Sequence, residues 1–152
     1  MTVEAVVTEA VTAAELADIR SLVESHVRFE RSAAVVPPDW ADEVAGLVAG
    51  GRLAVFVARA AGEALGYATV TTDVATWTGE TFAHLDCVYV AEGSRGAGVG
   101  ARLVAAVAEH ARARGLTELQ WQTPVWNDAA IRFYERLGAG HLPKERFTLR
   151  LD

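Results

Sequence analysis

The chain has 152 residues, of which 51% are hydrophobic and 22% charged, with a formal net charge of −6 and a pI near 5.2. A chain of this size buries roughly 68–70% of its unfolded surface, enough for one folded domain over 1–152 without disulfides or metal. The acidic balance argues against a nucleic-acid partner held by phosphate neutralisation, which needs a basic face.

The strongest apolar run, Leu53 to Ala58, has strand length and falls far short of the ~18 residues of a membrane span. The N-terminus carries Glu4 and Glu9 and no basic segment, so it does not read as a secretory signal. The single cysteine, Cys87, excludes an internal disulfide. A cytoplasmic location is the expectation.

Residues 3–8 read as a first strand. Thr12 with Glu15 makes a capping-box pattern, and Leu16, Ile19, Leu22, Val23 and Val27 recur at helical spacing, which predicts a helix over 13–29. Pro37-Pro38-Asp39 restarts the chain, and Trp40, Val44, Leu47 and Val48 give a short helix stopped by Gly50-Gly51. Residues 53–60 and 64–72 form a hairpin around Ala61-Gly62-Glu63. A polar loop with Trp77 and Gly79 leads to a strand over 81–90.

The densest glycine cluster follows: Gly93, Gly96, Gly98 and Gly100. A helix over 98–114 then carries Val99, Leu103, Val104, Val107 and Ala111 on one stripe, and Gly115 ends it. A strand over 116–123 stops at Pro124. Asn127 caps a helix that ends at Gly138. The last 12 residues read as a closing strand, with room for a short one before it. The order β-α-α-β-β-β-α-β-α-β(-β) describes a mixed α/β sheet, antiparallel in its first half, with one late β-loop-α-β unit.

A glycine loop between strand and helix lets the backbone approach a ligand, and the helix start adds N–H groups and partial positive charge, so 92–100 suits a phosphate. A Walker A loop would end in Gly-Lys-Ser/Thr, whereas Gly100 precedes Ala101 and Arg102. A dinucleotide fold would need G-x-G-x-x-G and an acid after the next strand, whereas the glycines run G-x-G-x-G and Glu118 stands at that strand's start. The pattern present is Arg-x-x-Gly-x-Gly, at Arg95, Gly98 and Gly100.

With this loop and the later run from Asn127 through Ala130, Phe133-Tyr134 and Gly138-Ala139, the chain resembles the GNAT superfamily of N-acetyltransferases. The resemblance is specific over about 81–140 and is nearest in motif to the diamine (polyamine) acetyltransferase branch. It implies a mostly antiparallel GNAT-type sheet flanked by helices, with acetyl-CoA as the cofactor. Direct transfer in a ternary complex follows from it.

The resemblance places the pyrophosphate on the main chain of Arg95, Gly96, Ala97, Gly98, Val99, Gly100 and Ala101. It lays the pantetheine arm along Val88, Tyr89 and Val90, and puts the entry splay near Pro124. Asn127 contacts the arm and Tyr134 the sulfur, with Ala130 leaving room between them. A phenol pKa near 10 is close to that of an alkyl thiol, so Tyr134 is the candidate acid for the leaving group.

The amine arrives protonated and needs a base. Asp86, nine residues before Arg95, matches in position the glutamate of the diamine branch but is one methylene shorter, which suits a water-relayed role. The Val88 N–H is the candidate oxyanion donor. Cys87, placed by alternation on the face opposite His84 and Asp86, reads as a structural cysteine. The four histidines show no metal-ligand spacing, so no metal is expected.

Trp77 and Trp126 flank the expected acceptor side. Glu30, Glu80 and Asp86, with Asp39, Asp42, Asp73 and Glu92, offer an acidic rim for a small cationic amine. A polyamine, an aminoglycoside or an amino-acid analogue would suit it. Competing readings are a non-catalytic acyl-CoA-binding or sensing domain and a protein-amine acetyltransferase. The family resemblance also implies a homodimer.

Overall fold

β-branched and aromatic residues in 54–60 and 63–75 drive a hairpin whose register runs from Ala54 opposite Val70 to Ala60 opposite Glu63. In the computed structural model, which describes residues 4–152, this hairpin is the centre of a five-stranded sheet. The strands are β1 (Val6–Ala10), β2 (Ala54–Ala60), β3 (Glu63–Ala75), β4 (Glu80–Val90) and β5 (Leu119–Gln120), in spatial order β1-β2-β3-β4-β5. The first three pairings are antiparallel and β4–β5 is parallel, so the sheet is mixed and mostly antiparallel.

The helices are α1 (Ala13–Ala17), α2 (Arg20–Phe29), α3 (Trp40–Ala49), α4 (Val99–Ala113) and α5 (Asp128–Arg136). A 3₁₀ turn at Glu92–Ser94 precedes α4. The chain forms two compact units, one up to Trp121 and one from Gln122 onward.

In the first unit, alternation along β2 feeds two cores. Val55 and Val57 pack with Leu16, Ile19 and Leu22 of the helical segment 13–29 and with Tyr67 of β3. Phe56 meets His110 of α4 on the other side, ring centroids 5.3 Å apart. Val99, Leu103, Val104, Val107 and Ala111 are the buried stripe of α4.

The capping box holds at α1: the Glu15 N–H donates to Thr12 Oγ1 at 3.2 Å, and the Glu15 carboxylate reaches back to the Val11 N–H. The expected continuous helix 13–29 is two helices. Ile19 N–H bonds to Leu16 O, a tight i→i−3 turn that ends α1. The buried stripe runs through the break, which is why periodicity did not reveal it. The first strand was expected from Val3, which lies outside the described residues.

Two further expectations are corrected. Among the described residues the strand expected over 116–123 pairs only at Ala83↔Leu119 and His84↔Gln120, and the pairing stops two residues short of an irregularity in β4. The closing strand is not formed: residues 139–152 carry no helix or strand. Phe147, Leu149 and Leu151 alternate with polar residues there and are 91%, 84% and 88% exposed. Alternation makes a strand only where a neighbouring strand accepts its ladder.

Candidate active site

The irregularity in β4 is a β-bulge at Asp86. Thr69 pairs with Cys87 and Val70 with Leu85, so Asp86 is the extra residue. Its effect is read from two hydrogen bonds. Before the bulge, the Ala83 N–H points away from β3 and donates to Glu118 O at 3.0 Å; after it, the Ala91 N–H points towards β3 and donates to Leu65 O at 2.8 Å. Both are odd-numbered, so one extra residue has exchanged the two edges of the strand.

The consequence for the expected cofactor strand is specific. The main-chain groups of Val88 and Val90 face away from β3, and β5 pairs with β4 only at Ala83 and His84 among the described residues. Tyr89 faces β3, its carbonyl against Gly66, where an added Cβ would lie only 2.7 Å from it. The bulge also changes which face the side chains meet. Ala83 and Leu85 are buried outside the α1–α3 cluster, whereas Cys87, Tyr89 and Ala91 pack against it.

β4 runs into the glycine loop. Gly96 and Gly98 both have φ +81° and open space where a Cβ would project. That left-handed backbone favours glycine. Gly98 is the N-cap of α4 and offers no side chain to the first-turn N–H groups, which have no partners within a helix. Arg95 is exposed; its Nε donates to Val90 O at 2.9 Å, and its guanidinium lies over the rings of Phe29 and Tyr89.

Asp86 is exposed beside Cys87, whose thiol donates to Asp86 Oδ2 at 3.7 Å. The bulge thus brings together two side chains that strict alternation would separate. Burial pushes the Cys87 thiol up to about 12, and the Asp86 charge adds to the rise, so the sulfur is held as an unreactive thiol. Burial also raises the Tyr67 phenol, with Cys87 adding to it.

Behind them lies a polar cluster that the sequence did not announce. His26, buried on α2, has Nδ1 2.6 Å from the Tyr67 hydroxyl and Nε2 bonded to the Glu30 carboxylate. With Nε2–H donating to Glu30, Nδ1 accepts from Tyr67. The imidazole stacks on Tyr89, centroids 5.0 Å apart. His26 and Tyr67 are 41 residues apart, so no local pattern could pair them; only His26 inside an apolar helix stripe hinted at it.

In the second unit, Asn127 caps α5: its Oδ1 accepts from the Ala130 N–H at 3.4 Å and its Nδ2 donates to Thr123 Oγ1 at 3.3 Å. Ala130 and Tyr134 follow at helical spacing, which sets them on the Asn127 face of α5. The Tyr134 and Phe133 rings are 5.3 Å apart. Trp126, in the turn before Asn127, is 37% exposed.

The acidic residues of the first unit are dispersed. Glu80 opens β4 at the hairpin tip with the fully exposed Trp77, and Asp86 stands six residues on, roughly 20 Å along the strand. Asp39, Asp42, Asp73 and Glu92 are exposed, and Glu30 is engaged by His26. Among the described residues no group of three or more His, Cys, Asp or Glu is placed to hold a metal ion.

A model of the acetyltransferase (GNAT) family matches residues 17–139. The chain belongs to the GNAT family. The match runs through both units. A thialysine N-epsilon-acetyltransferase of Sus scrofa is 33% identical over 78 residues, 51% of this chain and 45% of that protein. An L-methionine sulfoximine/L-methionine sulfone acetyltransferase of Pseudomonas aeruginosa is 38% identical over 98 residues, 61% of this chain and 56% of that protein. The aligned region thus spans about half the length of these relatives.

The fold is also that of solved GNAT structures. An aminoglycoside acetyltransferase from an uncultured soil metagenomic sample superposes with a TM-score of 0.82 at 17% identity, covering 97% of each chain. An aminoglycoside N-acetyltransferase in complex with CoA gives 0.81 at 20% identity, over 99% of this chain and 97% of that one.

GNAT acetyltransferases use acetyl-CoA. The residues present fit it. Gly96 and Gly98 leave the loop backbone open to an approaching phosphate, α4 presents uncapped N–H groups beside them, and Val88 and Val90 turn their polar edge away from β3. No helix of the described residues is long and apolar enough to cross a membrane.

Proposed function

We propose that this GNAT protein is an N-acetyltransferase that moves the acetyl group of acetyl-CoA directly to a primary amine of a small cationic acceptor. The observation that carries the reading is the β4 edge: past the Asp86 bulge, Val88 and Val90 turn main-chain groups away from β3, the Val90 carbonyl already holding Arg95 Nε, and this edge leads straight into the Gly96–Gly98 loop and α4. An extended amide-bearing arm adds to such an edge as a strand would. The diphosphate then lies on the loop, against Arg95 and the first turn of α4.

Acetyl-CoA supplies the activated thioester. The chain's own residues do the rest. Asp86 takes the ammonium proton through a water, since its carboxylate is exposed and short. The Val88 N–H donates to the oxygen where negative charge develops. Tyr134 gives a proton to the departing sulfur, and Asn127 and Ala130 line the same face of α5. In this reading the two units make one GNAT-type domain.

The acceptor class rests on the relatives, which act on thialysine, methionine sulfoximine and methionine sulfone, with Asp86, Glu30 and Trp126 as the candidate contacts; Glu80 and Trp77, at the hairpin tip roughly 20 Å from Asp86, are too far along the strand to share a small acceptor with it. A polyamine, an aminoglycoside and an amino-acid analogue are the members to test. We place the enzyme in the cytoplasm as a homodimer, to be checked by sedimentation at micromolar concentration.

The deciding experiment is acetyl-CoA-dependent thiol release across an amine panel that includes a lysine peptide. Turnover with a small amine supports the reading. CoA binding without turnover on any amine would make the protein a sensor, and turnover on the peptide alone would make it a protein acetyltransferase.

A further inference from the structure

Arg95 is held from three sides before any phosphate meets it. Its Nε donates to Val90 O at 2.9 Å, and its Cζ lies 4.7 Å from the Phe29 ring centroid and 5.4 Å from that of Tyr89. The two rings lean on each other at 6.1 Å. Phe29 ends α2 and is still 38% exposed, so burial accounts for only part of its place.

We propose that Phe29 and Tyr89 form a shelf that positions Arg95 for the cofactor's diphosphate, so that the last turn of α2 sets part of the cofactor affinity. The inference rests on the assignment of Arg95 to the diphosphate made above.

A surface arginine that grips a phosphate pays for the rotamers it gives up. Here the payment is made in advance. The ring faces hold the guanidinium from the side and the Val90 carbonyl fixes Nε. The Nη fork is then the part of the group that a phosphate meets, in the geometry in which arginine binds phosphate in two-pronged fashion.

The shelf is itself anchored. Tyr89 stacks on His26 with an interplanar angle of 17°, and His26 is clamped between Tyr67 and Glu30. A continuous set of contacts therefore runs from Glu30 to Arg95. Phe29 and Tyr89 are positioning residues, and the effect must appear in cofactor binding rather than in the chemical step.

The test is calorimetric titration of the full chain with CoA, with steady-state KM values for acetyl-CoA and for S-acetyl-pantetheine, which lacks the diphosphate. Phe29→Leu is expected to weaken CoA binding about three- to tenfold. It should leave the KM for S-acetyl-pantetheine unchanged and have no further effect in an Arg95→Ala background. Phe29→Trp is expected to restore the affinity, because a ring face is what matters.

Arg95→Lys keeps the charge but loses both the planar stack and the two-pronged fork, so it should lose at least as much; if Phe29→Leu fails to fold, Phe29→Met removes the ring face in its place and should give the same loss of about three- to tenfold. A CoA affinity within twofold of the parent in Phe29→Leu, or an equal loss in the Arg95→Ala background, would overturn the shelf. Unchanged CoA affinity in Arg95→Ala itself would instead overturn the assignment of Arg95 to the diphosphate.

Discussion

His26 Nδ1 stands 2.6 Å from the Tyr67 hydroxyl, joining α2 to the middle of the sheet through the most buried polar contact described in the first unit. Each group answers the other's burial. Removing one partner strands the other, at a cost of about 1–3 kcal/mol, whereas removing both relieves the penalty. Tyr67→Phe and His26→Leu should each destabilise the protein by that order in urea denaturation. The double variant should lose less than the sum, and strict additivity would show that the contact carries no energy.

Gly66 and Gly98 should fail differently when changed to alanine. At Gly66 a Cβ would lie 2.7 Å from the Tyr89 carbonyl oxygen and 3.2 Å from Leu103 Cδ1, and the backbone atom cannot step aside. A cost of about 1–3 kcal/mol in stability is expected. At Gly98 there is space but φ is +81°, so the cost is backbone strain of about 1–2 kcal/mol together with weaker CoA binding. Thermal melts and CoA titrations on the same two proteins separate the cases.

Cys87 should react slowly with a disulfide reagent at pH 8 in the folded protein and quickly in urea, because burial holds its thiol at about 12. The folded value lies above the ordinary 9, so the native state keeps the proton longer than the unfolded chain. Its contribution to stability is complete below pH 9 and is lost as pH rises from 9 towards 12. The raised Tyr67 phenol adds in the same direction from pH 10 upward. Cys87→Ala should retain activity and lessen the alkaline loss of stability.

Asp86→Asn should slow turnover at least tenfold at neutral pH, and the deficit should shrink as pH approaches the pKa of the amine, where the acceptor needs no base. A deficit constant across pH would assign Asp86 a structural part. Tyr134→Phe should lower kcat while CoA affinity holds; unchanged kcat would remove it as the acid.

Much of this was readable in the residues, for identifiable reasons. The hairpin 53–72, the α4 stripe and the caps at Thr12 and Asn127 follow from short-range patterns, and each is found where its pattern lies. The glycine loop was legible because positive φ demands glycine at Gly96 and Gly98. The split after Ala17 was hidden because Leu16, Ile19 and Leu22 stay buried on both sides of it. The shelf under Arg95 was hidden for another reason: Phe29 and Arg95 meet only once the sheet is assembled.

The bulge at Asp86 ties function to counting. Substituting this residue alters one side chain, but deleting it would restore the strand's strict two-residue rhythm. The rungs Val70–Leu85 and Thr69–Cys87 would then follow one another directly, and Val88, Tyr89 and Val90 would keep their partners, edges and faces. What would vanish is the kink and the one carboxylate it sets out beside the thiol, so the extra letter serves the site and not the ladder.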